Sequence, residues 1–127
     1  MKKLKTKWFS KWAKKQNVTD GKLLEAIGDM QTMRSSTSLG GGLHKVRVAL
    51  DNRGKSGVCR TIVVYRENDR AVMVYGFMKK ERENLTVSEL KSFKKLSKDI
   101  LALDSKALSH AVSQDVLIEI KGDNDER

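Results

Sequence analysis

Apolar positions change their spacing several times along the chain, and each spacing predicts an element. Trp8, Phe9, Trp12 and Ala13 recur at i, i+1, i+4 and i+5. That makes one apolar stripe on a short helix with lysines on its other side. Residues 3–6 ahead of it read as a short initial strand. Asn17–Asp20 is a turn in which Thr19 or Asp20 caps a second helix over about 20–33, carried by Leu23, Leu24, Ile27 and Met30. Two helices joined by so few residues predict a hairpin. Ser35–Gly42 is small, polar and glycine-rich, and reads as a linker.

Alternation then takes over. Val46, Val48 and Leu50 alternate with Lys45, Arg47 and Ala49 across His44–Leu50, the pattern of a half-buried strand. Val58–Arg66 is continuously apolar at its centre, as a central strand should be. After the turn Glu67–Arg70, Ala71–Met78 returns as a third strand. Helical spacing reappears at Leu90, Phe93, Leu96, Ile100 and Leu103, predicting a helix from about Thr86 to Leu103 capped by Thr86 or Ser88. Residues 105–114 add a helical turn and Asp115–Lys121 an edge strand. The order β-α-α-β-β-β-α predicts an α+β fold. Its sheet is antiparallel, with the helical hairpin on one face and the last helix beside the other. A domain over residues 1–104 and a partly acidic extension over residues 105–127 are the expected divisions.

Charge sharpens this picture. The net charge is +10 and its placement is uneven. Residues 1–15 hold seven lysines and no acid, whereas residues 115–127 hold five acids against Lys121 and Arg127. A body this basic favours nucleic acid, an anionic membrane or an acidic protein partner. No apolar run approaches the ~18–20 residues of a membrane-spanning helix. The basic N-terminus is not followed by an apolar signal segment, so no secretory leader is expected. The single cysteine, Cys59, has no internal disulfide partner, which fits a reducing cytoplasm.

The cations are also patterned. Lys45 and Arg47 are two apart on a strand and point to one face. Arg60 begins the next strand, and the glycine-rich loop between them adds Arg53 and Lys55. Like charges opposed across two strands repel unless an anion lies between them. Lys79, Lys80 and Arg82 follow the third strand, whose end lies beside the start of the second in a meander. Such a cluster suits RNA cleavage. The ribose 2′-hydroxyl must lose a proton, the crowded phosphate must be stabilised, and the 5′-oxygen must gain a proton. Arginine supplies fixed charge, and a lysine crowded by cations gives up its proton more readily.

Other features carry less. Arg53–Ser56 (RGKS) lacks the upstream glycine and following helix of a nucleotide-binding loop. His44, His110 and Cys59 offer no metal-ligand spacing, and all three read as structural or surface residues. Trp8 and Trp12 stand at core spacing and read as packing. Tyr75 and Phe77 alternate toward one face, where core packing and base stacking are equally open.

The run LGGGLHKVRVALDNRGKSGVCRTIVVY, then VMVYGFMKKERENLTVSELK, resembles the RelE/ParE superfamily of toxins from bacterial toxin–antitoxin pairs. With its KTKWFxxWAKK opening it is most similar to the branch first noticed in phage-derived genes. The resemblance spans about residues 3–103. It implies a metal-independent, cofactor-free endoribonuclease that cuts messenger RNA on the ribosome, and a cognate antitoxin that masks the basic site. Matched onto this sequence, it implies catalytic roles for Lys45, Arg60, Lys79 and Arg82. It implies RNA-binding roles for Arg47, Arg53, Lys55 and Lys80. The tyrosine or histidine that several relatives carry near the start of the final helix is missing from NLTVSELK. That gap keeps two alternatives open, the gyrase-inhibiting members of the superfamily and a non-catalytic RNA-binding module.

Overall fold

The computed structural model describes residues 1–33, 35–50 and 57–122. Its first elements are β1 (Lys2–Thr6), α1 (Lys7–Lys15), α2 (Asp20–Met33), β2 (Ser36–Gly40) and β3 (Leu43–Leu50). They are followed by β4 (Gly57–Arg66), β5 (Arg70–Met78), α3 (Val87–Ala102), α4 (Ser105–Ser113) and β6 (Leu117–Glu119). The strands form one sheet in the order β2-β3-β4-β5-β1-β6.

The helical hairpin forms where the apolar stripes predict it. Thr6 Oγ1 accepts a hydrogen bond from the Phe9 amide at 3.1 Å and opens α1, and Thr19 Oγ1 does the same for Lys22 at 3.2 Å at the start of α2. Phe9, Ala13, Leu23, Ile27 and Met30 then bury against Val46, Val48, Cys59, Val63 and Met73 on one face of the sheet. The opposite face buries Leu4, Leu43, Ile62, Val64, Val72 and Phe77 under Ile100 of α3 and Leu108 of α4. Two helical layers therefore sandwich the sheet, as an α+β fold requires.

The sheet differs from the expected one in two respects. It is mixed, because β1 lies parallel to β5, with Lys2 beside Arg70 and Lys5 beside Met73. The helical hairpin carries the chain away from β1 before the meander begins, so β1 is left to fill the open edge of β5. The stretch expected as a linker also contains a strand, β2, which pairs Ser36 with Val46 and Ser38 with His44. An edge strand of this composition needs no apolar alternation. Its turn into β3 uses Gly40, Gly41 and Gly42, all with positive φ, and Ser97 Oγ on α3 donates to the Gly41 carbonyl at 2.7 Å.

Residues 105–122, set apart in sequence by composition, add α4 and the edge strand β6. Leu4 pairs with Glu119 there, and Leu108 and Leu117 enter the second core. The carboxyl end of α3 is closed by cations. Arg70, almost fully buried, donates to the Ile100 carbonyl at 2.7 Å, and Arg66 donates to that of Leu101 at 2.7 Å.

One irregularity positions the site. Ile62 pairs with Tyr75 but Val63 pairs with Met73, so Val74 is an extra, bulged residue. Val74 and Tyr75 consequently both turn toward the α3 side.

Candidate nucleic-acid interface

Alternation along β3 and β4 puts Lys45, Arg47 and Arg60 on the same face as Leu43, Ile62 and Val64, the face covered by α3. Arg47 and Arg60 are direct partners across the two strands, and Arg60 is in turn paired with Phe77 on β5. The expected concentration of cations on one face is therefore present. Arg60 Nη1 is buried without a hydrogen-bond partner among the described residues. A guanidinium nitrogen held that way is costly until an acceptor arrives.

The segment after β5 folds back over this face. The Lys79 amide donates to the Val58 carbonyl at 3.0 Å, which places it beside the start of β4 as the meander predicts. Lys79 and Lys80 are exposed at the turn. Asn84 Oδ1 accepts from Lys45 Nζ at 2.7 Å and so ties this segment to β3.

Arg82 is not a free cation. Its Nη1 donates to Glu89 Oε1 at 2.7 Å and its Nη2 to Glu89 Oε2 at 2.9 Å, a two-pronged ion pair. Nη2 also donates to the Tyr75 hydroxyl at 2.7 Å, and the guanidinium sits 4.9 Å from the Phe77 ring centre and 5.6 Å from that of Tyr75. Glu89 belongs to a capping box at the start of α3, where the Thr86 amide donates to Oε1 at 2.8 Å. The Arg82 hydrogen bonds foremost, with that amide, hold the Glu89 carboxyl down at about 2. Burial raises the Tyr75 phenol above its ordinary value, and Arg82 opposes that shift.

The sequence points to Tyr75 only as a packing or base-stacking ring and does not single out Glu89 at all. The capping signature Thr86-x-x-Glu89 was available for Glu89. Nothing local connects Tyr75 to the helix start, yet the bulge delivers its hydroxyl to within 3.3 Å of Glu89 Oε2 in the first turn of α3. The absence of tyrosine from NLTVSELK therefore does not leave that position without a phenol.

Arg53 and Lys55 lie outside the described residues. His44 points to the other face, where Ser36 Oγ lies 3.1 Å from its Nδ1 and Tyr65 meets it edge-on, and burial lowers its pKa. Cys59 is buried and its thiol is pushed up to about 11 by that burial. Among the described residues no group of three His, Cys, Asp or Glu is arranged to hold a metal ion, and no helix is long and apolar enough to cross a membrane.

A small mixed sheet sandwiched by helices, with one face carrying clustered cations, defines an α+β protein of the RelE-like fold. Residues 1–120 match the family described as the RelE toxin of the RelE / RelB toxin-antitoxin system, and the chain belongs to that family. It is accordingly a toxin of a toxin–antitoxin pair, and membership implies a cognate antitoxin as partner. A search of curated proteins returned no match.

Proposed function

We propose that this toxin is an endoribonuclease that cuts messenger RNA on the ribosome. RelE-family toxins are generally endoribonucleases. The observation that carries the reading to this chain is the buried Nη1 of Arg60, which has no hydrogen-bond partner among the described residues. It lies on the face that also bears Lys45 and Arg47, beside the Tyr75–Arg82–Glu89 group.

The chemistry follows from that arrangement. The 2′-oxygen attacks the adjacent phosphorus as its proton passes to a base, and the bond from phosphorus to the 5′-oxygen breaks. Arg60 stabilises the extra negative charge on the phosphate. Lys45 is the proton acceptor or its charge partner, and Lys79 adds charge at the leaving side. Tyr75, which keeps its proton at neutral pH, supplies it to the departing 5′-oxygen. The products are a 2′,3′-cyclic phosphate and a 5′-hydroxyl. Arg82, neutralised by Glu89, is a positioning residue for Tyr75. Arg47 and Lys80, with Arg53 and Lys55, hold the RNA backbone, and the antitoxin masks the same face.

The test is to induce the chain in a bacterium and map new 5′ ends in messenger RNA, with and without translation. Cuts in phase with codons that vanish when translation is blocked, and that are lost in the double variant Arg60→Ala, Arg82→Ala, establish the reading. Growth arrest with intact messages overturns it and moves the target to gyrase or another protein.

A further inference from the structure

Trp8 lies on the apolar stripe of α1, yet it is 47% exposed. Its ring stacks on Tyr75 with centroids 4.6 Å apart and planes 24° from parallel, and it runs nearly parallel to Trp12 at 6.3 Å and 10°. The series continues from Tyr75 to Phe93 at 4.9 Å. Trp8 is thus the open member of an aromatic ladder whose next ring, Tyr75, is hydrogen-bonded to Arg82 and paired across the sheet with Ile62, two residues from Arg60. Along α1 the positions i+3 and i+7 from Trp8 are Lys11 and Lys15, both exposed.

We propose that Trp8 is a stacking platform for one nucleobase of single-stranded RNA, next to the phosphate bound at the cationic face. The inference rests on the RNA reading above and adds a base-recognition site to it. An apolar side chain of a protein partner laid on Trp8 would come to rest among the exposed ammonium groups of Lys11 and Lys15. A nucleotide brings a flat ring for the indole and its own phosphate for the lysines, so both kinds of surface are satisfied together.

The test measures binding of a labelled single-stranded RNA and of polyphosphate, which has no bases, to the full chain and to Trp8→Ala, Trp8→Leu and Trp8→Phe. Trp8→Ala and Trp8→Leu should weaken RNA binding about ten-fold, with Trp8→Phe restoring most of it. Polyphosphate binding and the dependence of RNA affinity on salt should not change, because no phosphate contact is removed. In the Trp12→Phe background, RNA but not polyphosphate should quench the remaining indole fluorescence. If Trp12→Phe does not fold, the affinities alone decide. Equal RNA affinity in Trp8→Ala overturns the platform while leaving the RNA reading intact, as does full retention in Trp8→Leu. Failure of the parent to bind RNA at all overturns both.

Discussion

Arg47 and Arg60 are direct partners across β3 and β4, so two guanidinium groups rise from adjacent positions on one face. Like charges so placed destabilise a strand pair by about 0.2–1 kcal/mol. Exposed Arg47 is the member that can be removed without opening the core. Arg47→Ala should therefore stabilise the free toxin by about 0.2–1 kcal/mol at low salt. The same change should weaken RNA binding and lower its salt slope by about one unit. Denaturation and salt-dependent binding check the two halves. A less stable variant with an unchanged slope would show that the pair is not built around an anion.

Glu89 supplies a pH prediction. Its carboxyl is lowered from 4.5 to about 2, chiefly by hydrogen bonds from Arg82. A depressed carboxyl contributes stability that is complete above the unfolded value near 4.5 and is lost as pH falls toward 2. Arg82 therefore stays paired throughout the neutral and mildly acidic range. Carbon-detected NMR titration should place the Glu89 midpoint near 2 in the parent, and Arg82→Ala should move it up toward 4.5. A parent midpoint near 4.5 would mean that the ion pair does not persist in solution.

Tyr75 supplies an activity prediction. Loss of a positioned acid commonly slows a reaction by about 10²–10⁴-fold. Tyr75→Phe retains the ring that stacks on Trp8 and Phe93 but removes the hydroxyl, so cleavage should slow within that range while RNA affinity holds. Single-turnover cleavage of ribosome-bound message measures it. Unchanged cleavage would remove Tyr75 from the chemistry and leave the acid role to another group.

These predictions divide between what periodicity reveals and what only folding brings together. The apolar series Leu23, Ile27, Met30 announced the second helix and Val46, Val48 the first strand of the meander, because burial imposes those spacings. Strand β2 was hidden because Ser36–Gly40, at a sheet edge, is under no such constraint. The shared face of Lys45, Arg47 and Arg60 was legible from alternation and the meander. The pairing of Arg82 was not, because a count of cations does not reveal which of them has an acid waiting seven residues later. The bulge at Val74 was equally silent. It follows from the pairing of β4 with β5, and it is what turns Tyr75 toward α3 and Trp8.

Cys59 is fully buried between the sheet and the helical hairpin, and its thiol is raised to about 11. Thiolate is the reactive form, so a thiol with both properties should be inert in the native protein. Iodoacetamide should label it only slowly under native conditions and rapidly in denaturant. Rapid native labelling would indicate that the core around β4 opens readily.

Gly76 is where the aromatic ladder and the bulge meet. After Val74 and Tyr75 turn to the α3 side, Gly76 faces α1, and a Cβ built there would stand 2.4 to 2.8 Å from three atoms of the Trp12 ring. Trp12 is held by Phe9 on one side, with ring centres 5.4 Å apart, and runs parallel to Trp8 at 6.3 Å. Any shift of Trp12 is therefore passed to Trp8, which borders the cationic face. Overpacking of this kind costs about 1–3 kcal/mol, so Gly76→Ala should destabilise the toxin by that amount in chemical denaturation. It should also weaken RNA binding through Trp8, although neither residue 76 nor Trp12 belongs to the proposed binding surface. Combining Gly76→Ala with Trp12→Leu should recover stability, since the smaller side chain makes room for the methyl group. A Gly76→Ala protein as stable as the parent, with unchanged indole fluorescence, would show that Trp12 does not rest on β5 as described.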